Sequence, residues 1–197
     1  MIPAPSRAQL PRDERRAQIL RAAACAFARE GYAATSVDEV AKSAGITKLI
    51  VYRHFDSKAD LYRAILDDVT ARLAEEWGSA TMEQHTRGAA ARTLLTVGRA
   101  NPDGFRLVFV HAARESEFEG YAAEIRSLQT GLAEEMLAPL PLDDVVRRWA
   151  TGVLVDQLVV AVLGWLDEGE PDRDGEWVDL VTAGLRSQIE TWVGLGG

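Results

Sequence analysis

The sequence predicts an all-α fold of about nine helices, and three observations carry that prediction. Apolar residues recur at i, i+3, i+4 and i+7 in one segment after another. Glycine or proline punctuates those segments at Gly31, Gly45, Pro102, Pro139, Pro141, Gly169 and Pro171. No stretch shows the strict apolar and polar alternation of a half-buried strand, and there is no internal repeat or low-complexity tract.

The elements follow in order. After a proline-bearing start, a first helix runs from about Asp13 to Glu30, with Ile19, Ala23, Ala26 and Phe27 on its buried stripe. Ser36-Val37-Asp38-Glu39 is a capping box that starts a second helix, whose stripe is Val37, Val40, Ala41 and Ala44. Gly45 then supplies a positive φ. Thr47 is an N-cap for a third helix, Lys48 to Phe55, with Ile46 and Val51 spaced as a hydrophobic staple. Ser57, with Asp60 three residues on, opens a long helix carrying Leu61, Ile65, Val69, Leu73 and Trp77 at successive i+4 positions.

Beyond a weakly patterned segment at Gly78 to Gly88, an Ala-rich helix spans about Ala89 to Arg99 and Asn101-Pro102 breaks it. Phe105, Val108, Phe109 and Ala112 mark the next helix, and a longer one ends near Leu137, ahead of Pro139 and Pro141. From about Asp143 to Asp167 the apolar residues cover more than one face, which requires burial on two sides. Trp177, Val178, Val181, Leu185, Ile189 and Trp192 form the stripe of a final helix.

Thr35 to Lys58 therefore reads as two short helices joined by a tight turn and followed at once by a third, the layout of a helix-turn-helix DNA reader at about residues 36–55. These residues resemble the tetracycline-repressor (TetR) type of transcriptional regulators. The resemblance runs from about Arg15 to Leu61, through Ala23, Ala26, Phe27, Gly31-Tyr32, Thr35, Val40-Ala41, Ala44-Gly45-Ile46-Thr47, Tyr52, Phe55, Ser57-Lys58 and Leu61. The chain departs from the small residues common after the first recognition-helix position by carrying Leu49 and Ile50. The resemblance implies a DNA-binding domain over residues 1–58 and a helical ligand-binding and dimerisation domain over 59–197. It also implies a homodimer joined through the last two helices, usually acting as a repressor.

Charge is divided along the chain. The net charge is -8, yet residues 1–58 hold 10 Lys and Arg against 6 Asp and Glu, leaving 12 against 24 beyond them. The basic end suits phosphate, whereas the acidic remainder either repels it or serves solubility. The resemblance implies phosphate contacts at Thr35, Tyr52, Lys58 and His54, whose donor groups fit that role. Thr35 has the alternative of helping to cap the second helix. Thr47, Lys48, Leu49 and Arg53 complete the candidate DNA-facing set: Lys48 or Arg53 can meet guanine O6 and N7, and Leu49 a thymine methyl. Arg7, Arg12, Arg15 and Arg16 form either an arm toward the backbone or minor groove or a solvated tail.

Phe105, Phe109, His111, Trp149 and Asp156 are the candidate lining of a small-molecule pocket, with plain core packing as the competing reading for each. Asp156-Gln157 inside so apolar a helix requires a partner, whether a neighbouring helix, a dimer mate or a ligand. Cys25, the only cysteine, is expected to be a small core residue. No catalytic, metal or cofactor constellation is found. His54, His85 and His111 all lack a glutamate three residues before them, so a di-iron Glu-x-x-His pair is absent. The first sixteen residues contain no apolar run, and Val153 to Leu166 falls short of the ~20 residues needed to span a bilayer. A cytoplasmic location, no membrane partner and a double-stranded DNA operator are the resulting expectations. Two other classes stay open from sequence: a helix-turn-helix protein that organises DNA or assembles with a partner, and an all-α enzyme.

Overall fold

The computed structural model describes residues 10–80 and 88–196, which contain nine α-helices and no strand. They are α1 (Arg12–Glu30), α2 (Val37–Ser43), α3 (Lys48–Tyr52) and α4 (Lys58–Ser79), then α5 (Ala89–Ala100), α6 (Pro102–Arg106), α7 (Glu119–Leu137), α8 (Asp144–Glu168) and α9 (Asp174–Gly196). Arg7 and His85 lie outside the described residues. The chain forms two compact units that divide between Ile65 and Leu66. The expected domain boundary at residue 58 coincides instead with the start of α4. The first turns of α4 belong to the first unit because Leu61, Tyr62 and Ile65 are buried there, with the Tyr62 ring edge-on to Phe27 at 5.1 Å.

In the first unit, α1 buries Ile19, Ala23, Ala26 and Phe27, the stripe expected of it. Cys25 is exposed on the opposite face and is not a core residue as expected: its neighbours Ala24 and Ala26 take the buried positions. The capping box is complete: the Glu39 amide donates to Ser36 Oγ at 3.2 Å, and the Ser36 amide donates to Glu39 Oε2 at 2.7 Å. Gly45 has φ 66°, and the Ile46 amide donates back to Ala41 O at 2.9 Å, so the chain closes one helix and turns within three residues. α3 stops at Tyr52, three residues short of the expected end. The His54 and Phe55 amides still reach Val51 O, so Phe55 is buried beyond a loosening last turn. Thr47 occupies the N-cap position of α3, but its hydroxyl makes no capping bond.

In the second unit, one buried cluster joins α5, α6, α8 and α9 through Ala91, Leu95, Phe105, Leu158, Val162 and Val178. A smaller one holds Leu137, Ala150 and Leu154. The segment expected as one helix around Phe105 to Ala112 is irregular. Asn101 caps α6 by accepting from the Gly104 amide at 2.9 Å, and a π-helical turn over Leu107–His111 then tightens into a 3₁₀ turn at Ala112–Arg114. Asp143 caps α8, its carboxylate accepting from the Val145 and Val146 amides at 2.9 and 3.0 Å.

α8 has 25 residues and is, among the described residues, the one helix long and apolar enough to cross a membrane by length and composition. The expectation that this region was too short for a bilayer took only its Val153 to Leu166 stretch and so underestimated the helix. α8 packs against α5 and α7, and it carries Asp156 paired with Arg126 of α7. Those contacts make it a bundle helix. Burial on two sides, expected for α8, is not reached within one chain. Ala150, Thr151, Leu154, Leu158 and Val162 are buried, whereas Trp149 is 55% exposed and Val160 67%.

Candidate nucleic-acid interface and ligand cavity

α3 has five residues, and Val51 is its buried anchor. Thr47, Lys48, Leu49, Tyr52 and Arg53 are all exposed around it, so the helix presents hydroxyl, ammonium, aliphatic, phenol and guanidinium groups to solvent. A surface of that kind combines donors for phosphate and base edges with an apolar contact for a thymine methyl. Lys48 Nζ donates to Asp38 Oδ2 of α2 at 2.6 Å, and both side chains are about half exposed or more. This pairing holds Lys48 beside the reading helix and raises its pKa, chiefly through the hydrogen bond. The bond takes one of the three N–H donors of the ammonium.

A basic edge adjoins the far end of α3. The His54 pKa is held below its ordinary value, first by partial burial and then by the charges of Arg12, Arg16 and Arg15. Arg16 lies over the Phe55 ring, 4.7 Å from its centroid. Arg15 donates to Gln18 Oε1 at 2.6 Å, and Gln18 Nε2 donates to Ala44 O at 2.8 Å, tying α1 to the end of α2. The start of α1 therefore brings Arg12, Arg15 and Arg16 near His54 at the end of α3, in a turn that also carries Asp13 and Glu14. Guanidinium groups so placed suit a phosphate backbone.

Two residues expected in the phosphate set are used otherwise. Thr35 is 2% exposed, and its hydroxyl donates to Gly31 O at 2.8 Å and Ala26 O at 3.3 Å. Its hydroxyl closes the α1 end and does not face solvent. Lys58 Nζ donates to Tyr32 O at 2.8 Å, Thr35 O at 3.2 Å and Ala33 O at 3.4 Å, while sitting 4.4 Å from the Tyr32 ring centroid. An ammonium has three donors and all three are spent, so Lys58 ties the α1–α2 loop to the start of α4.

The second unit contains a cavity of about 700 Å³. α4 contributes Thr70, Leu73, Ala74 and Trp77, and α5 adds Ala90, Ala91, Thr93 and Leu94. The α7 wall includes Ile125, Leu128, Gln129, Leu132 and Met136, and α8 and α9 close the remainder with Leu154, Leu158, Thr182, Leu185 and Ile189 among others. Its size falls in the range of small-molecule sites.

None of the five expected pocket residues lines it. Phe105 is fully buried and packs against Phe109 with centroids 4.4 Å apart. Trp149 lies against Trp192 at 5.0 Å on the outer side of α8. His111 sits in the π turn, its pKa lowered by burial and then by Arg114. Asp156 is exposed and held by Arg126, whose hydrogen bond lowers its pKa. Phe105 and Phe109 fill space and consolidate the core, while the described lining of the void is mostly aliphatic, with Trp77 as its aromatic ring. In the sequence the cavity is marked only by Ala90-Ala91 and by the i+4 series Leu128, Leu132 and Met136. Among the described residues no three His, Cys, Asp or Glu side chains come together to hold a metal.

Comparison with known proteins agrees with the first unit and extends past it. Residues 19–65 match the family described as "Bacterial regulatory proteins, tetR family". The chain is 41% identical over 199 residues to a probable HTH-type transcriptional regulator, ArpR of Pseudomonas putida, covering 93% of this chain and 90% of that protein. It is 36% identical over 105 residues to the HTH-type transcriptional activator FasR of Mycolicibacterium smegmatis, covering 51% of this chain and 48% of FasR. The alignment thus spans about half of FasR's length. The crystal structure of a TetR-like transcriptional regulator from Rhodococcus sp. RHA1 superposes with a TM-score of 0.77 at 22% identity, over 96% of this chain and 100% of that one.

Proposed function

The chain belongs to the tetR family of bacterial regulatory proteins, and on that premise we propose that it is a ligand-responsive transcriptional repressor. It binds a palindromic operator as a homodimer in the cytoplasm and releases it when a small molecule occupies the second-unit cavity. The observation that carries this reading is the coexistence, in one chain, of an outward-facing reading helix and a largely apolar cavity of about 700 Å³. Helix α4 starts in the first unit, with Lys58 fastened to the Tyr32 carbonyl, and further along carries Leu73, Ala74 and Trp77 on the cavity wall. A ligand on that wall therefore touches a helix whose first turns belong to the DNA-binding unit.

The DNA-facing set proposed is Thr47, Lys48, Leu49, Tyr52, Arg53 and His54, with Arg12, Arg15 and Arg16 along the backbone. Homodimerisation is supported by the uncovered apolar residues of the last two long helices, Val145, Trp149 and Val160 on α8 and Leu180 and Leu195 on α9. Two helices from each protomer meet there, and the two-fold axis sets the spacing of the two reading helices. Operator half-sites lie about one turn, ~34 Å, apart, so both must be seated together for tight binding.

Selecting bound sequences from a random duplex pool tests the operator. A pair of inverted half-sites at a fixed spacing is expected, and sequence-blind coverage would favour an architectural role. Calorimetry of a ligand with free and operator-bound protein tests the response. For ~100-fold weaker operator binding the coupling is roughly 2.7 kcal/mol, and DNA must weaken the ligand by the same factor. Equal ligand affinities for the two forms would exclude induction.

A further inference from the structure

We propose that the cavity ligand is an uncharged, elongated, mostly apolar molecule seated along α7, and that this helix is the wall the ligand orders. The proposal rests on the regulatory reading only in taking the cavity as a ligand site.

The lining dictates the charge. Among the described lining residues Arg186 and Glu190 are the ionisable ones, four residues apart on α9, opposite in sign and exposed, so they belong to the rim. The other polar groups are neutral: Thr70, Thr93, Thr182 and Gln129. One of those four is already committed. Thr70 Oγ1 donates to Leu66 O at 3.0 Å and shares a 2.9 Å hydrogen bond with Tyr121. Thr182 Oγ1 is sealed from solvent and has no hydrogen-bond partner among the described residues. Thr93, Thr182 and Gln129 remain for a ligand. A few neutral groups of that kind satisfy a hydroxyl or an ester carbonyl, but they do not compensate a buried carboxylate, whose desolvation costs far more than that of a neutral group.

The lining also dictates shape and motion. From Ile125 to Met136 the α7 wall is twelve residues long, ~16 Å at the rise of an α-helix. Along it Leu128, Leu132 and Met136 line the cavity while remaining 66%, 42% and 48% exposed. In all of α7 Leu137 is the one buried residue. A helix so thinly packed opens at low cost. An apolar chain lying against the three exposed side chains supplies the contacts that α7 lacks.

The test uses the full-length protein and three probes of equal chain length: 1-decanol, decanoate and decyltrimethylammonium at pH 7.5. Calorimetry should show 1-decanol binding at least tenfold more tightly than either ion, and hydrogen exchange should slow across Ile125 to Met136 when it binds. Leu128→Ser, at a mostly exposed position, should keep the melting temperature of the free protein and weaken 1-decanol about fivefold. Decanoate binding as tightly as 1-decanol, absence of binding by all three, or an unaffected Leu128→Ser variant would each overturn the proposal. Failure of the regulatory reading looks different: 1-decanol binds as stated, yet operator affinity does not change.

Discussion

Replacing Lys58 with methionine keeps the stem packed on Tyr32 and removes the ammonium. Three hydrogen bonds are lost, to Tyr32 O at 2.8 Å, Thr35 O at 3.2 Å and Ala33 O at 3.4 Å, together with a cation–π contact at 4.4 Å. Only the first bond has a short, strong geometry, and a net charge-assisted bond of that kind contributes ~1.5–3 kcal/mol. The ring contact adds ~0.5–1 kcal/mol at a partly exposed site. The Ala33 carbonyl left behind is exposed and takes water in place of the ammonium, while the Tyr32 and Thr35 carbonyls are part-buried. A loss of ~2 kcal/mol follows. If the first unit unfolds as its own transition, its midpoint falls by about 8–16 °C. Native-state hydrogen exchange at the Ile19 to Phe27 amides reads this directly, and a salt titration of operator binding, run below the midpoint, reads the DNA side. Because the donors are already spent within the protein, the salt dependence should not change. The reasoning is refuted if protection is unaltered while the slope of log affinity against log salt drops by about one per subunit, the signature of a lost phosphate contact.

Tyr52→Phe should weaken operator and random duplexes alike in a filter-binding series, whereas Lys48→Ala should shift the consensus recovered by sequence selection, since base contacts specify and phosphate contacts position. Val160→Arg, at a position 67% exposed in one chain, should leave the fold intact and give monomers in equilibrium sedimentation; an unchanged dimer would remove α8 from the interface. Asp174 accepts two hydrogen bonds from Arg99, at 2.8 and 3.0 Å, and one from the Trp165 indole at 2.6 Å. Its pKa is lowered, chiefly by the Arg99 bond, so its contribution to stability is complete above the unfolded value of ~3.9 and is lost as pH falls through the lower folded value. Urea unfolding of Arg99→Gln between pH 6 and pH 2.5 should show a shallower acid decline than the parent; parallel curves would deny the linkage.

What was legible in the sequence was local. Ser36 with Glu39, and Gly45 after Ala44, are instructions completed within four residues, and the structure carries both out. The i+4 stripes place helices because burial on one face is a periodic requirement. Positions decided by tertiary approach were not legible. Thr35 reads as a polar residue before a helix, and only the arrival of its backbone beside Gly31 and Ala26 turns its hydroxyl inward. Lys58 reads as a free cation until the α1–α2 loop presents three carbonyls to it. The expected lining is mainly aromatic, whereas the cavity is walled mainly by leucines and alanines, because a void is made by what side chains fail to fill. The π turn at Leu107–His111 leaves no mark in the apolar pattern that distinguishes it from an α-helix.

The uncovered face of α8 has a genetic consequence. Protomers that leave Trp149 and Val160 in water until they meet a second copy should pair as they are made and exchange slowly afterwards. In a cell expressing two alleles, a chain with an intact α8 and a disabled reading helix would be drawn into mixed dimers. Each such dimer offers one reading helix to an operator that demands two. Lesions confined to residues 47–53 should therefore be dominant over the normal allele, while lesions that prevent folding should be recessive, because an unfolded chain never reaches a partner to spoil.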